Sequence, residues 1–237
     1  MDRSPWVFAP FSYHYRTLAY TKRMVCLAKS KKLGATCVAG IEWDGSERGE
    51  WVRPVGNRHS DAIIDDEMAF EGGGQISPLD VVEIDFLEPR PHACQVENHL
   101  IGDDRQWRKV GTLQPEELRQ FVEEPPDLWG TENHGYIRDR VPTEEADLLS
   151  SSLMLVRLKS PSVEVKVWPE RTTVRVDFDY NGIHYNMTAT DRAFKQRFVK
   201  KGAGEYRLAK ETYACLSLSE PDGGYRYKLA AGVFELE

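Results

Sequence analysis

Val174, Val176, Phe178 and Tyr180 alternate with Arg175, Asp177 and Asp179, and the dipeptide Asn181-Gly182 follows at once. Period-two alternation puts the four apolar side chains on one face of a strand and the charged ones on the other. Asn-Gly supplies the two positive-φ residues that a two-residue hairpin turn needs, so strands at 172–180 and 183–188 are predicted to pair in a fixed register. Such a hairpin is marginal alone and must bury its apolar face against further strands. Apolar runs at 153–158 and 163–168 precede it, and runs at 213–218 and 225–234 follow, the last two joined by Asp222-Gly223-Gly224. In between, Thr190 or Asp191 can cap a helix that buries Ala193, Phe194 and Phe198 and ends on Lys200, Lys201 and Gly202. Several strands with one helix before the final pair is the order of an oligonucleotide/oligosaccharide-binding (OB) barrel.

A second β-rich block lies in the first half, with strands predicted at 24–28, 36–43, 50–55 and 79–87. Asp44-Gly45-Ser46 is a turn between two of them. Val38, Gly40 and Glu42 alternate with Cys37, Ala39 and Ile41, so small residues on both faces suit a barrel wall; Val82, Ile84 and Phe86 share one face of the fourth run. Gly72-Gly73-Gly74 is followed by no Lys-Ser or Lys-Thr, and a flexible connector is the reading rather than a phosphate loop. The fold class is all-β with short helices: two OB-like barrels in tandem. Residues 24–110 form the first and 153–237 the second. An N-terminal extension spans 1–23, rich in aromatics without a period and open as either a packed arm or an unordered extension. An acidic, partly helical connector spans 111–152, with helices expected at 115–123 and 142–149.

The chain has 237 residues, of which 41% are hydrophobic, enough for a core in each half. A net charge of −7 counts against a whole-surface grip on nucleic acid, but the bases cluster at 22–32 and 195–210. Cys26, Cys37, Cys94 and Cys215 have neither a CxxC spacing nor a paired-histidine motif, so they read as reduced thiols with no metal and no cofactor. No apolar stretch reaches the ~20 residues of a membrane span, and 6–11 is too short for a signal peptide. The expectation is a cytoplasmic protein without a membrane partner.

OB barrels bind across strands 2 and 3 and the flanking loops, with bases tracking phosphates and aromatics stacking on nucleobases. Lys29, Lys31 and Lys32, then Trp51, Arg53, Arg58 and His59, have that composition in the first block. The lysines serve as point charges and the arginines as forks, unless the lysines are only a solvated turn. Trp51 is either a stacking surface or part of the core. In the second block Arg175 faces outward beside His184, and Lys200 and Lys201 belong to a basic run with Lys195, Arg197, Arg207 and Lys210. That run is either a phosphate contact or a helix face with favourable charge at its C-terminal end. Lys228 stands in an apolar strand and must snorkel or pair. Asp65, Asp66, Glu67, Asp103 and Asp104 are the carboxylates a two-metal nuclease would draw on, yet adjacent loop acids rarely converge and no catalytic residues are assigned.

The chain resembles the dual OB-containing domain family of prokaryotic proteins. The resemblance rests on Val25-Cys26-Leu27-Ala28 with Ser30 and Lys32, Cys37-Val38-Ala39-Gly40, and Glu50-Trp51-Val52-Arg53-Pro54-Val55. It continues through Glu97-Asn98, Asp139-Arg140-Val141-Pro142, Glu145-Ala146-Asp147, Ser151-Ser152-Leu153, Thr190-Asp191 and Gly204-Glu205-Tyr206. It closes with Ser217-Leu218-Ser219-Glu220-Pro221 and Tyr227-Lys228-Leu229-Ala230-Ala231. Arg192 stands where the family tends to have proline. The resemblance implies two OB-like barrels and a nucleic-acid-binding or nucleic-acid-sensing role, often in the setting of phage defence. The expected partner is single-stranded DNA or RNA, without catalysis. The alternative is a protein-interaction subunit that docks an effector and makes no nucleic-acid contact.

Overall fold

The computed structural model describes residues 20–32, 35–58, 61, 63–102, 107–132, 134 and 137–236. The aromatic segment at 1–19, His59, Asp103 and Asp104 lie outside them. The first sheet contains β1 (Tyr20–Lys32), β2 (Ala35–Trp43), β3 (Arg48–Val55), β4 (Asp80–Pro89), β5 (Asn98–Ile101) and β6 (Arg108–Thr112). β1 pairs antiparallel with β2 and β4, β3 pairs antiparallel with β2 and parallel with β5, and β5 returns to β4. This ring of pairings is closed, which removes the free edges of an open sheet. β6 adds to β4 outside the ring.

β7 (Arg140–Pro142) and the single turn α1 (Thr143–Ala146) lead into β8 (Leu153–Val167), β9 (Thr172–Tyr180) and β10 (Ile183–Ala189). Helix α2 (Arg192–Val199), β11 (Gly204–Arg207), β12 (Glu211–Leu218) and β13 (Tyr225–Leu236) complete the chain. β8, β9, β10, β13 and β12 repeat the pairing cycle, with β10 parallel to β13 through Thr188–Leu229 and Ala189–Ala230. The hairpin forms in the expected register, Tyr180 opposite Ile183, with Asn181 at φ 47° and Gly182 at φ 79°. The Asp191 carboxylate caps α2 by accepting from the Phe194 N–H at 3.0 Å. Phe194 and Phe198 are buried beneath that helix, whereas Ala193, expected inside, is exposed. No helix among the described residues is long and apolar enough to cross a membrane.

Three apolar clusters hold the molecule together. Met24, Cys26, Val38, Val52, Val82, Ile84 and Phe86 fill the first barrel. Val156, Leu158, Val174, Val176, Phe178, Tyr185, Ala214 and Leu216 fill the second. The third lies between them: Val25, Leu27, Ala39, Ile41 and Trp51 of the first barrel meet Leu153, Leu155, Tyr213, Cys215 and Ala231 of the second. Successive side chains of β1 and β12 thus go alternately into a barrel and into the contact between barrels. This is why the sequence there is apolar on both parities. A fully buried Leu or Val contributes roughly 1.5–3 kcal/mol, so the shared cluster couples the two barrels strongly.

Three local expectations change. The runs at 153–158 and 163–168 are one strand, interrupted by a register shift between Lys159 and Ser162, with Ser160 at φ 51°. Lys159-Ser160-Pro161 looks like a break in sequence, but a bulge takes a proline without losing a ladder bond. The helix expected at 115–123 is a 3-10 segment, Pro115–Phe121, whose Leu118 and Phe121 enter the cluster between the barrels. The expected helix at 142–149 is only the α1 turn.

Candidate nucleic-acid interface

The residues singled out in the first half do not form one exposed basic surface. Lys29 points back to the loop that follows the triple glycine, its Nζ donating to the Ile76 carbonyl at 2.8 Å. The side chains of Lys31 and Lys32 lie outside the described residues. Trp51 is 8% exposed and belongs to the cluster between the barrels, with its indole N–H on the Glu123 carboxylate at 3.2 Å. It has no open face for a base, and the stacking expectation is corrected: β3 is covered on that side by the second barrel. Arg53 is half-buried, its Nη2 2.8 Å from Ser152 Oγ and 3.1 Å from Glu97 Oε1. Ser152 donates in turn to Glu97. Arg53 therefore ties β3 to the start of β8. Arg58 is exposed but grips Glu67 through both carboxylate oxygens at 2.6 and 2.7 Å.

Arg175 is also corrected. Its guanidinium donates to Asp139 Oδ2 at 2.7 Å, to Thr188 Oγ1 at 2.9 Å, and to both the side-chain and main-chain oxygens of Asn186. These bonds fasten the connector to the second barrel and leave Arg175 saturated. His184 sits between Asp177 and Asp179 at 3.1 and 3.0 Å. Lys201 lies over the rings of Phe198 and Tyr206 at 4.7 and 5.2 Å, while Lys200 is exposed and makes no ion pair among the described residues.

A basic groove of about 880 Å³ opens at the bulge of β8. Up to Leu158, β8 pairs with β12; from Ser162 onward it pairs with β11. The chain between those strands crosses the gap, anchored by the Leu208 N–H on the Pro161 carbonyl at 3.1 Å. Arg157 and Lys159, two residues apart and both exposed, stand on the outer face of β8. Arg207 and Lys210 line the same groove, with Tyr206 in its wall and Glu205 as its acid. None of these four cations forms an ion pair among the described residues, whereas Arg23, Arg48, Arg53, Arg58 and Arg108 each do. Arg207 and Lys210 belong to the basic run seen in the sequence. Arg157 and Lys159 were missed, although two cations at strand spacing directly before a Ser-Pro step are a readable signal.

A second cavity, about 550 Å³, lies between the barrels. One wall is β2 and β3, the face by which OB barrels hold ligands. The other is β12, β13 and the turn joining them. Its charged lining is Arg53 against Asp61, Glu220 and Asp222.

Burial drives the thiols away from reactivity: Cys26 is pushed up to about 12, and Cys215 and Cys94 are raised. Among the described residues no three His, Cys, Asp or Glu side chains converge to hold a metal. Asp65 accepts from Thr36 Oγ1 at 3.0 Å, and Glu67 is occupied by Arg58.

No curated protein matches the chain. Among solved structures, the crystal structure of the tetrameric p202 HIN2 covers 92% of this chain and 93% of its own at 8% identity. Its TM-score of 0.30 is too low to bear on fold or function. The family model of the dual OB-containing domain matches residues 22–233, from β1 into β13 and so through both barrels. The chain belongs to the dual OB-containing domain family.

Proposed function

We propose that the protein is a nucleic-acid-binding module that contacts its ligand through the basic groove of the second barrel. The observation that carries this reading is the set of four exposed cations, Arg157, Lys159, Arg207 and Lys210, around one groove, none in an ion pair among the described residues. Family membership supports the ligand class. A chain of net charge −7 that gathers four exposed cations around one groove has a local site for a polyanion rather than a generic affinity for one. The two barrels are taken as 24–110 and 153–237, with 111–152 between them and 1–23 as an extension. The cytoplasmic location, the prokaryotic defence setting and the absence of catalysis belong to the same proposal.

The test is fluorescence anisotropy with labelled single-stranded DNA, single-stranded RNA and duplex over a salt series. Binding is expected to weaken steeply as salt rises, and a variant with all four cations changed to Glu is expected not to bind. A parent protein that fails to bind at low salt, or a four-fold variant that binds as the parent does, overturns the reading. A second reading, docking of an effector protein, draws on Val167 and Trp168, 57% and 52% exposed at the end of β8. It predicts that Trp168→Ala loses a protein partner and leaves oligonucleotide affinity intact.

A further inference from the structure

We propose that the cavity between the barrels binds a single guanine-type base, at a site separate from the basic groove and argued independently of it. At about 550 Å³ it falls within the ~300–1,000 Å³ of small-molecule sites and is large enough for one purine nucleoside. Ala39 and Pro54 from the first barrel and Leu229 and Ala231 from the second line it, giving apolar walls with little bulk for a flat ring.

Its polar groups select the ring. The Nη2 of Arg53 is held by Glu97 and Ser152, which fixes the guanidinium plane. Its Nε and Nη1 donate to no group among the described residues. Asp61, half-buried on the same cavity, has a carboxylate with no partner among the described residues. One fixed guanidinium donor and an open carboxylate on one cavity complement a ring that carries an acceptor next to N–H donors. Guanine has O6 as the acceptor, beside the N1–H and the N2 amino group as donors. Adenine's exocyclic amine lies where guanine has O6, so it would face the Arg53 donor with a donor.

Phosphate does not suit this cavity. The Arg53 charge is already matched by Glu97 at 3.1 Å, and Asp61, Glu220 and Asp222 remain on the lining. A bare base or nucleoside meets no such repulsion. It can come from two sources, a free nucleoside or an unpaired base of a strand held elsewhere on the protein.

Isothermal titration calorimetry with guanosine, adenosine and cytidine on the full chain tests this. Guanosine is expected to bind at least tenfold more tightly than the other two. Asp61→Asn is expected to weaken it at least tenfold, and Leu229→Trp, which fills the cavity, to abolish it. Asp61 lies at φ 52°, a conformation that asparagine tolerates, so that variant keeps its fold. The variant with the four groove cations replaced should bind guanosine as the parent does, which separates this site from the groove. No guanosine binding up to millimolar concentration overturns the proposal, as does binding that neither Asp61→Asn nor Leu229→Trp alters. If guanosine displaces a labelled guanine-containing strand but not oligo(dT), the occupant is a base of the strand. If guanosine binds and displaces neither, it is the free nucleoside.

Discussion

Gly232 of β13 lies directly against the main chain of Leu27 in β1: a Cβ built on Gly232 would stand 2.1 Å from the Leu27 carbonyl oxygen. The obstacle is backbone, not a side chain that can swing aside, so the two barrels approach this closely only because residue 232 has no side chain. Gly232→Ala must separate β1 from β13 and disturb the cluster around Val25, Leu27, Cys215 and Ala231. A loss of about 1–3 kcal/mol or more is expected, measured by urea unfolding, with each barrel's strand content retained by circular dichroism. An unchanged midpoint would mean that the barrels do not rest on this contact.

The groove cations are exposed and form no ion pair among the described residues, so their removal should leave stability within about 0.5 kcal/mol. Their effect should appear in binding. Changing Lys159 or Lys210 singly to Ala should lower the slope of log affinity against log salt by about 1, if each meets one phosphate. A slope that stays the same for every single variant would place the phosphates elsewhere.

Arg53 is a poor residue for a simple binding test. Its partner Glu97 is buried with one carboxylate oxygen unbonded, and Arg53→Ala strips the remaining charge compensation from it. About 3–5 kcal/mol of destabilisation is expected. Arg53→Met with Glu97→Gln should recover much of that loss, because no buried charge is then left uncompensated. Thermal unfolding of the two single variants and the double variant measures the coupling.

Lys228 is buried inside the second barrel, over the Tyr185 ring at 5.4 Å, with its Nζ 3.3 Å from the Gly130 carbonyl. Desolvation lowers its pKa to about 8 despite Asp127 and Asp139, and Arg138 adds to the lowering. The unfolded chain holds this proton up to about 10.4. Below pH 8 both states are charged and folding carries the full desolvation cost. As pH rises from 8 towards 10.4 the folded state is already neutral and stability increases. Lys228→Met should therefore be more stable than the parent at pH 7, by about 1–3 kcal/mol, and the gap should close by pH 10.5. Paired urea titrations across that range check it, and a gap independent of pH would refute the assignment to Lys228.

The strand β9, its Asn181-Gly182 turn and the Asp191 cap were legible in sequence because each depends on neighbours within a few residues. β5 and β11, four residues each, were not. Asn98–Ile101 acquires its strand character from parallel pairing with β3, more than forty residues earlier, and no local pattern encodes that. The candidate site divided in the same way. The basic run at 195–210 was visible as composition, but a list of cations does not say which are already spent on carboxylates. Arg58, Arg175 and Arg53 look as available in sequence as Arg207 does, and Glu67, Asp139 and Glu97 claim them only after folding.

Alternation, turn chemistry and element order by themselves pointed to an all-β chain with two blocks of OB-like strand order, since period, φ preference and capping act over a turn or a strand, whereas the pairings that close each ring join distant segments. Tertiary structure alone decided that the barrels share a core through β1 and β12 and that Trp51 is spent on it. It also decided that the groove forms where β8 changes partner, and that Arg53 and Asp61 line one cavity. Those outcomes depend on which distant charges and faces become neighbours, and burial then sets whether each one pairs, packs or stays free for a ligand.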